Sequence, residues 1–284
     1  MDGTAMNRML PPVRTLFSAL ACASFLAFPG AADAQVKVDT ALIVAVDVSD
    51  SVNAERYQLQ MEGVARALED PEVISVIMSG PRGGIGFALV EWADAAELTI
   101  PWRIIRSVED AQATAATVRG LKQKVGEYTC VARMLSFVRD QVAGDLPLSA
   151  IRVVLDVSGD GIDNCRDPAE TRDERDALVR DGVRINGLPI IVEGENEVVG
   201  SGAYRAPGFG LSPVGPGTSQ TTLDGWYREH VVGGPAGFII QANGFEDFGR
   251  AFRMKFVTEV SAQEDDEPLR VNAPSDLSRV STAR

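Results

Sequence analysis

The strongest constraint on this chain's fold is a pair of short, mostly apolar runs that each end on a carboxylate. Residues 41–46 read Ala-Leu-Ile-Val-Ala-Val and run into Asp47, and residues 151–158 read Ile-Arg-Val-Val-Leu-Asp-Val-Ser and run through Gly159 into Asp160. A strand with one wet face alternates apolar and polar residues. A run that stays apolar is covered on both faces, the habit of parallel strands sandwiched between helices. The intervening segments change period. Tyr57, Met61, Val64, Ala65 and Leu68 fall on one face of a helix over 53–69, with Asn53 placed to cap it and Pro71 to close it. Strands are expected over 85–93, 185–193 and 237–242, and helices over 108–122, 131–142, 168–180, 221–230 and 245–260. Segment 96–104 reads as the hairpin partner of 85–93, at a sheet edge because Pro101 cannot donate to a ladder. Strand–helix alternation gives an α/β fold: a three-layer sandwich with a doubly wound, mostly parallel sheet and one antiparallel edge strand.

Charge and the termini bound the function. The net charge of −13 argues against nucleic acid, which needs clustered Lys and Arg, and against docking on anionic lipid. Arg8 and Arg14 precede an uncharged apolar run from Leu16 to Phe28, and Ala32-Asp33-Ala34 follows as an A-x-A cleavage site. That order marks residues 1–34 as a secretory signal peptide, too short in its apolar part to span a bilayer. The mature chain is then periplasmic or secreted, has no membrane span, forms one domain over 35–262, and ends in a polar, disordered tail over 263–284. Cleavage removes Cys22 and leaves Cys130 and Cys165. In an oxidising compartment an even pair suggests a disulfide; two free buried thiols are the alternative.

The chemistry gathers where strands end. In open α/β sheets ligands sit beyond the carboxyl ends of the strands. The first strand delivers Asp47-Val48-Ser49-Asp50-Ser51, the 151–158 strand delivers Asp160-Gly161, and the loop before the 131–142 helix offers Thr129. Asp47, Ser49, Ser51, Thr129 and Asp160 are all hard oxygen donors, which suits Mg²⁺, Ca²⁺ or Mn²⁺ rather than zinc or copper. Three hydroxyls and two carboxylates leave a coordination position that a partner's carboxylate can fill. If the same residues only cap turns and helices, the domain is structural and the site has no function.

Asp47-x-Ser49-x-Ser51 after a buried strand, followed in order by Thr129 and Asp160-Gly161, resembles the metal-ion-dependent adhesion site of von Willebrand factor A-like domains, over about residues 39–260. The stretches Asp156–Asn164 and 231–248 are most similar to an exported bacterial branch of that family with no known function. The resemblance implies that Ser49, Ser51 and Thr129 bind Mg²⁺ directly, that Asp47 and Asp160 act mostly through water, and that a protein or peptide ligand supplies an Asp or Glu. One departure stands out: the family places a threonine before its aspartate, whereas Gly159 precedes Asp160.

Other readings are weaker. Asp156-x-Ser158-x-Asp160-Gly161 imitates a calcium loop but follows a strand, not a helix. A metal-dependent hydrolase or phosphatase is the enzyme alternative. However, the chain has one histidine, His230, and shows no nucleophile–base pairing, so no enzyme activity is expected. The Gly-, Ser- and Pro-rich loop 194–218, with Tyr204 and Phe209, is the candidate for partner specificity.

Overall fold

The computed structural model describes residues 35–124, 126–200 and 220–261. The segments read as a signal peptide (1–34) and a tail (263–284), and most of the 194–218 loop, including Tyr204 and Phe209, lie outside the described residues.

The elements in chain order are β1 (Val36–Asp47), α1 (Ala54–Glu69), α2 (Pro71–Ser79), β2 (Ile85–Trp92), β3 (Ala96–Ile105), α3 (Val108–Arg119) and α4 (Val131–Phe137), which continues as a π-helical turn over Val138–Ala143. There follow β4 (Leu148–Gly159), α5 (Pro168–Arg180), β5 (Val183–Ile191), β6 (Val198–Gly200), β7 (Gln220–Thr222), α6 (Leu223–His230), β8 (Ala242–Asn243) and α7 (Phe248–Ser261). The main sheet runs β3-β2-β1-β4-β5-β8. Only β2 and β3 pair antiparallel, with β3 at the edge. The α/β sandwich expected from the apolar runs is the observed fold.

The central strand shows why. In β1, Leu42, Val44 and Val46 join a core shared with α1, α2, α3 and α7, while Ile43 and Ala45 join one shared with α4, α5 and α6. Both faces are dry, and the run stays apolar until the strand end, where Asp47 begins the loop. Burying one Leu, Ile or Val contributes about 1.5–3 kcal/mol, so the run of β1 anchors both cores to the sheet. On α7, Phe248, Phe252 and Phe256 repeat every fourth residue, with successive ring centroids 5.7 and 5.9 Å apart. That helix crosses α1 at backbone contact: a Cβ on Gly63 would stand 2.9 Å from the Gly249 Cα.

Three local differences from the expected elements have clear causes. α1 closes at Glu69, just before Pro71, as expected, but Pro71 also begins a second helix, α2, because Asp70 accepts from the Glu72 and Val73 amides and Pro at the first helical position sacrifices no bond. The 194–218 loop is rooted in a two-stranded ribbon, β6 with β7. The 237–242 run meets β5 at one isolated parallel bridge, Gly187 with Ile239, and forms a continuous ladder only at Ala242–Asn243. Upstream, Gly234 and Ala236 adopt positive φ, and the Phe238 amide donates to the Asn186 side chain (3.1 Å) instead of to a strand.

Candidate metal centre

The site is assembled by three loops at the carboxyl ends of β1 and β4. Asp47 lies at the end of β1 with no exposed surface, and its Oδ1 accepts from the Ser49 amide at 2.8 Å, which turns the loop back over the strand. The turn places the Ser49 and Ser51 hydroxyls 3.3 Å apart. Ser51 donates to Asp160 Oδ1 at 2.7 Å, and Thr129 Oγ1 donates to Ser49 Oγ at 3.3 Å. All five expected ligands therefore meet in one cluster, although 109 residues separate Ser51 from Asp160. Gly161 permits the approach of its loop, since a Cβ there would stand 3.3 Å from Thr129 Oγ1.

Cys130 and Cys165 form a disulfide, with Cα atoms 5.1 Å apart. It joins the threonine loop to the loop after β4. The same loops are also tied by the Thr129 amide donating to Asn164 Oδ1 (2.8 Å) and the Asn164 amide to the Thr129 carbonyl (3.0 Å). Asp163, in the loop after β4, is occupied away from the cluster. It accepts from the amides of Ala132, Cys165 and Arg166 and from the Thr171 hydroxyl.

Two residues at the rim escaped the sequence reading. Arg56, on α1, donates to the Ser51 carbonyl (2.9 Å), lies 3.7 Å from Asp160 Oδ2, and binds both carboxylate oxygens of Glu195 at 2.7 and 2.9 Å. Asn196 donates to the Asp160 carbonyl (2.6 Å) and the Ile190 carbonyl (2.9 Å), pinning the turn after β5 to the site. A lone arginine on a helix and an asparagine in a turn carry no periodic signal, so only the fold reveals them.

The donor set fits a hard divalent cation. Asp47 Oδ2 is buried and has no hydrogen-bond partner. Burial, and after it the charge of Asp160, pushes the Asp47 carboxyl up to about 8 despite the Ser49 hydrogen bonds. A buried carboxylate pair so unfavourable as two anions needs a cation or a proton. The sign follows. An unfolded aspartate loses its proton near 3.8, whereas folded Asp47 keeps it to about 8, so the metal-free protein loses stability as pH rises across that interval. A bound cation must displace the proton. Metal affinity is therefore expected to climb by up to about tenfold per pH unit below pH 8, as measured by titrations at pH 6, 7 and 8. A flat profile would contradict the assignment of Asp47.

Solved structures place this fold in a class. The vWF domain of the type V pilus tip protein Mfa5 from Porphyromonas gingivalis matches with a TM-score of 0.51 at 9% identity, covering 82% of this chain and 99% of that one. Proximal thread matrix protein 1 from the mussel byssus matches with a TM-score of 0.52 at 16% identity, covering 80% of this chain and 47% of that one. This chain thus spans about half the length of the mussel protein. The fold is that of a von Willebrand factor A-like domain. By sequence, the chain belongs to the family described as "Protein of unknown function (DUF1194)", whose model matches residues 37–264. No curated protein matches it.

Proposed function

We propose that the protein is an exported, divalent-cation-dependent binding domain that grips a carboxylate of a protein or peptide ligand. The observation that carries this reading is the convergence of five hard-oxygen side chains around an unpartnered, buried Asp47 Oδ2. Ser49, Ser51 and Thr129 would hold Mg²⁺, its usual replacements being Mn²⁺ or Ca²⁺, with Asp47 and Asp160 supplying the compensating charge. Bound there, the ion offers an electrophilic position to an acidic side chain. The rim already accommodates one: Arg56 holds the Glu195 carboxylate beside Asp160.

Binding rather than catalysis suits the surrounding residues. His230 packs against Trp226 with ring centroids 5.0 Å apart, and its Nδ1 lies 3.2 Å from Arg172 Nη1, on the α5 side of α6. Burial, together with the neighbouring arginines, lowers its pKa, while Glu229 opposes them. Export is supported by the signal-peptide pattern and by the disulfide. Among the described residues no helix is long and apolar enough to cross a membrane.

The test uses Mn²⁺ as a reporter of its own coordination shell. Acetate added to the Mn²⁺-loaded protein is expected to displace a coordinated water and lower the water-proton relaxivity of the bound ion. Unchanged relaxivity with Mn²⁺ still bound would refute carboxylate capture. Turnover of p-nitrophenyl phosphate with Mg²⁺ or Mn²⁺, lost in Asp47→Ala, would favour the hydrolase instead.

A further inference from the structure

Residue 159, where the site departs from its family's pattern, is bare for a reason visible in the packing. A Cβ on Gly159 would stand 2.7 Å from Tyr227 Oη, 2.9 Å from Asp47 Oδ2 and 3.3 Å from Asp47 Cβ. The phenol reaches through the space that a side chain at 159 would fill. A second glycine makes room for the ring: a Cβ on Gly187, in β5, would stand 3.0 Å from Tyr227 Cδ1. Tyr227 itself has no exposed surface and is held on α6, whose first turn is capped by Thr222.

Tyr227 Oη and Asp47 Oδ2 are both buried side-chain oxygens without a hydrogen-bond partner. Their chemistry is complementary. A phenol hydroxyl can donate, and a carboxylate oxygen only accepts. Phenylalanine would pack equally well and would leave no buried hydroxyl to satisfy.

We propose that Tyr227 is a positioning residue of the metal centre, its hydroxyl donating toward Asp47 Oδ2 in place of a side-chain hydroxyl at residue 159. Ser49 fixes one oxygen of Asp47, and the phenol takes up the other once a cation has displaced the Asp47 proton. The inference rests on the metal-centre reading and deepens it. The cation ligands come from β1, β4 and the threonine loop, while α6 supplies their alignment.

The experiment titrates Mn²⁺ alone into the metal-stripped protein and into Tyr227→Phe. Removing an outer-shell partner typically weakens metal affinity by 10–100-fold, and Tyr227→Phe is expected to weaken it about tenfold or more. Wild-type protein should also show a tyrosine ultraviolet difference band on binding Mn²⁺ that is absent from Tyr227→Phe. Tyr227→Phe that binds Mn²⁺ within twofold of wild type, with the same difference band, would overturn the role of Tyr227 and leave the metal centre standing. A wild type that binds no Mn²⁺ would remove both. If Tyr227→Phe does not fold, a wild type that binds Mn²⁺ without any tyrosine band overturns the proposal on its own.

Discussion

Replacing Lys255 with Met is expected to destabilise the protein by about 3–5 kcal/mol, the range for stranding a buried charge by deleting its partner. Lys255 lies on α7 with no exposed surface and meets two acids, Asp156 on β4 and Glu259 one turn further along α7. Its ammonium donates to Glu259 Oε1 at 2.7 Å, and the same oxygen receives Asn186 Nδ2 at 2.7 Å. The Phe238 ring closes the cluster, its centroid 5.7 Å from the ammonium. Burial pushes the Asp156 carboxyl up to about 7; Lys255 opposes that rise and Glu259 reinforces it. Without Lys255, two acids face each other in a dry layer. The cost arises from stranded charge rather than from lost packing, so a charge-free triple variant, Lys255→Met with Asp156→Val and Glu259→Met, should regain most of it. Urea denaturation of both variants separates the causes. A single variant within about 1 kcal/mol of wild type, the centre of the range for point substitutions in general, would show that the ion cluster does not hold α7 to the sheet.

The disulfide gives the second large effect. It closes a sequence separation of 35 residues, for which chain entropy gives a stabilisation of roughly 3–4 kcal/mol. Reduction, or Cys130→Ser with Cys165→Ser, should lower the denaturation midpoint accordingly. The effect on metal affinity should be smaller, because Thr129 and Asn164 still hold the two loops by two backbone-anchored hydrogen bonds. Unreduced, denatured protein should expose at most one reactive thiol, that of Cys22, among the three cysteines. Three reactive thiols, or a midpoint indifferent to reduction, would contradict the bond.

These two effects mark the boundary of what the sequence made legible. The apolar run 41–46 and its terminal Asp47 were readable because burial on both faces leaves a local, unbroken signature. The ligand loops followed, since topology sends strand ends to one edge of the sheet. Asp156 was not interpretable, because its partner Lys255 is 99 positions away and nothing local links them. Pro71 closes α1 as its sequence context implies, but the helix that starts at Pro71 depends on Asp70 serving as its cap, a second role that the stop signal hides. The 237–242 run had strand composition, but a side chain from β5 claims its Phe238 amide. Gly159 was visible as a departure, and its reason, the phenol of Tyr227, arrives from α6 only once the fold is complete.

The metal centre is the claim on which the functional reading stands, and calorimetric titration of Mg²⁺, Mn²⁺ and Ca²⁺ into the metal-stripped protein tests it most directly, beside Asp47→Ala and Ser49→Ala. The expected result is saturable, one-to-one binding by the wild type that both folded variants lose. Binding that survives in both variants, or no heat from any of the three ions with the wild type, would contradict it.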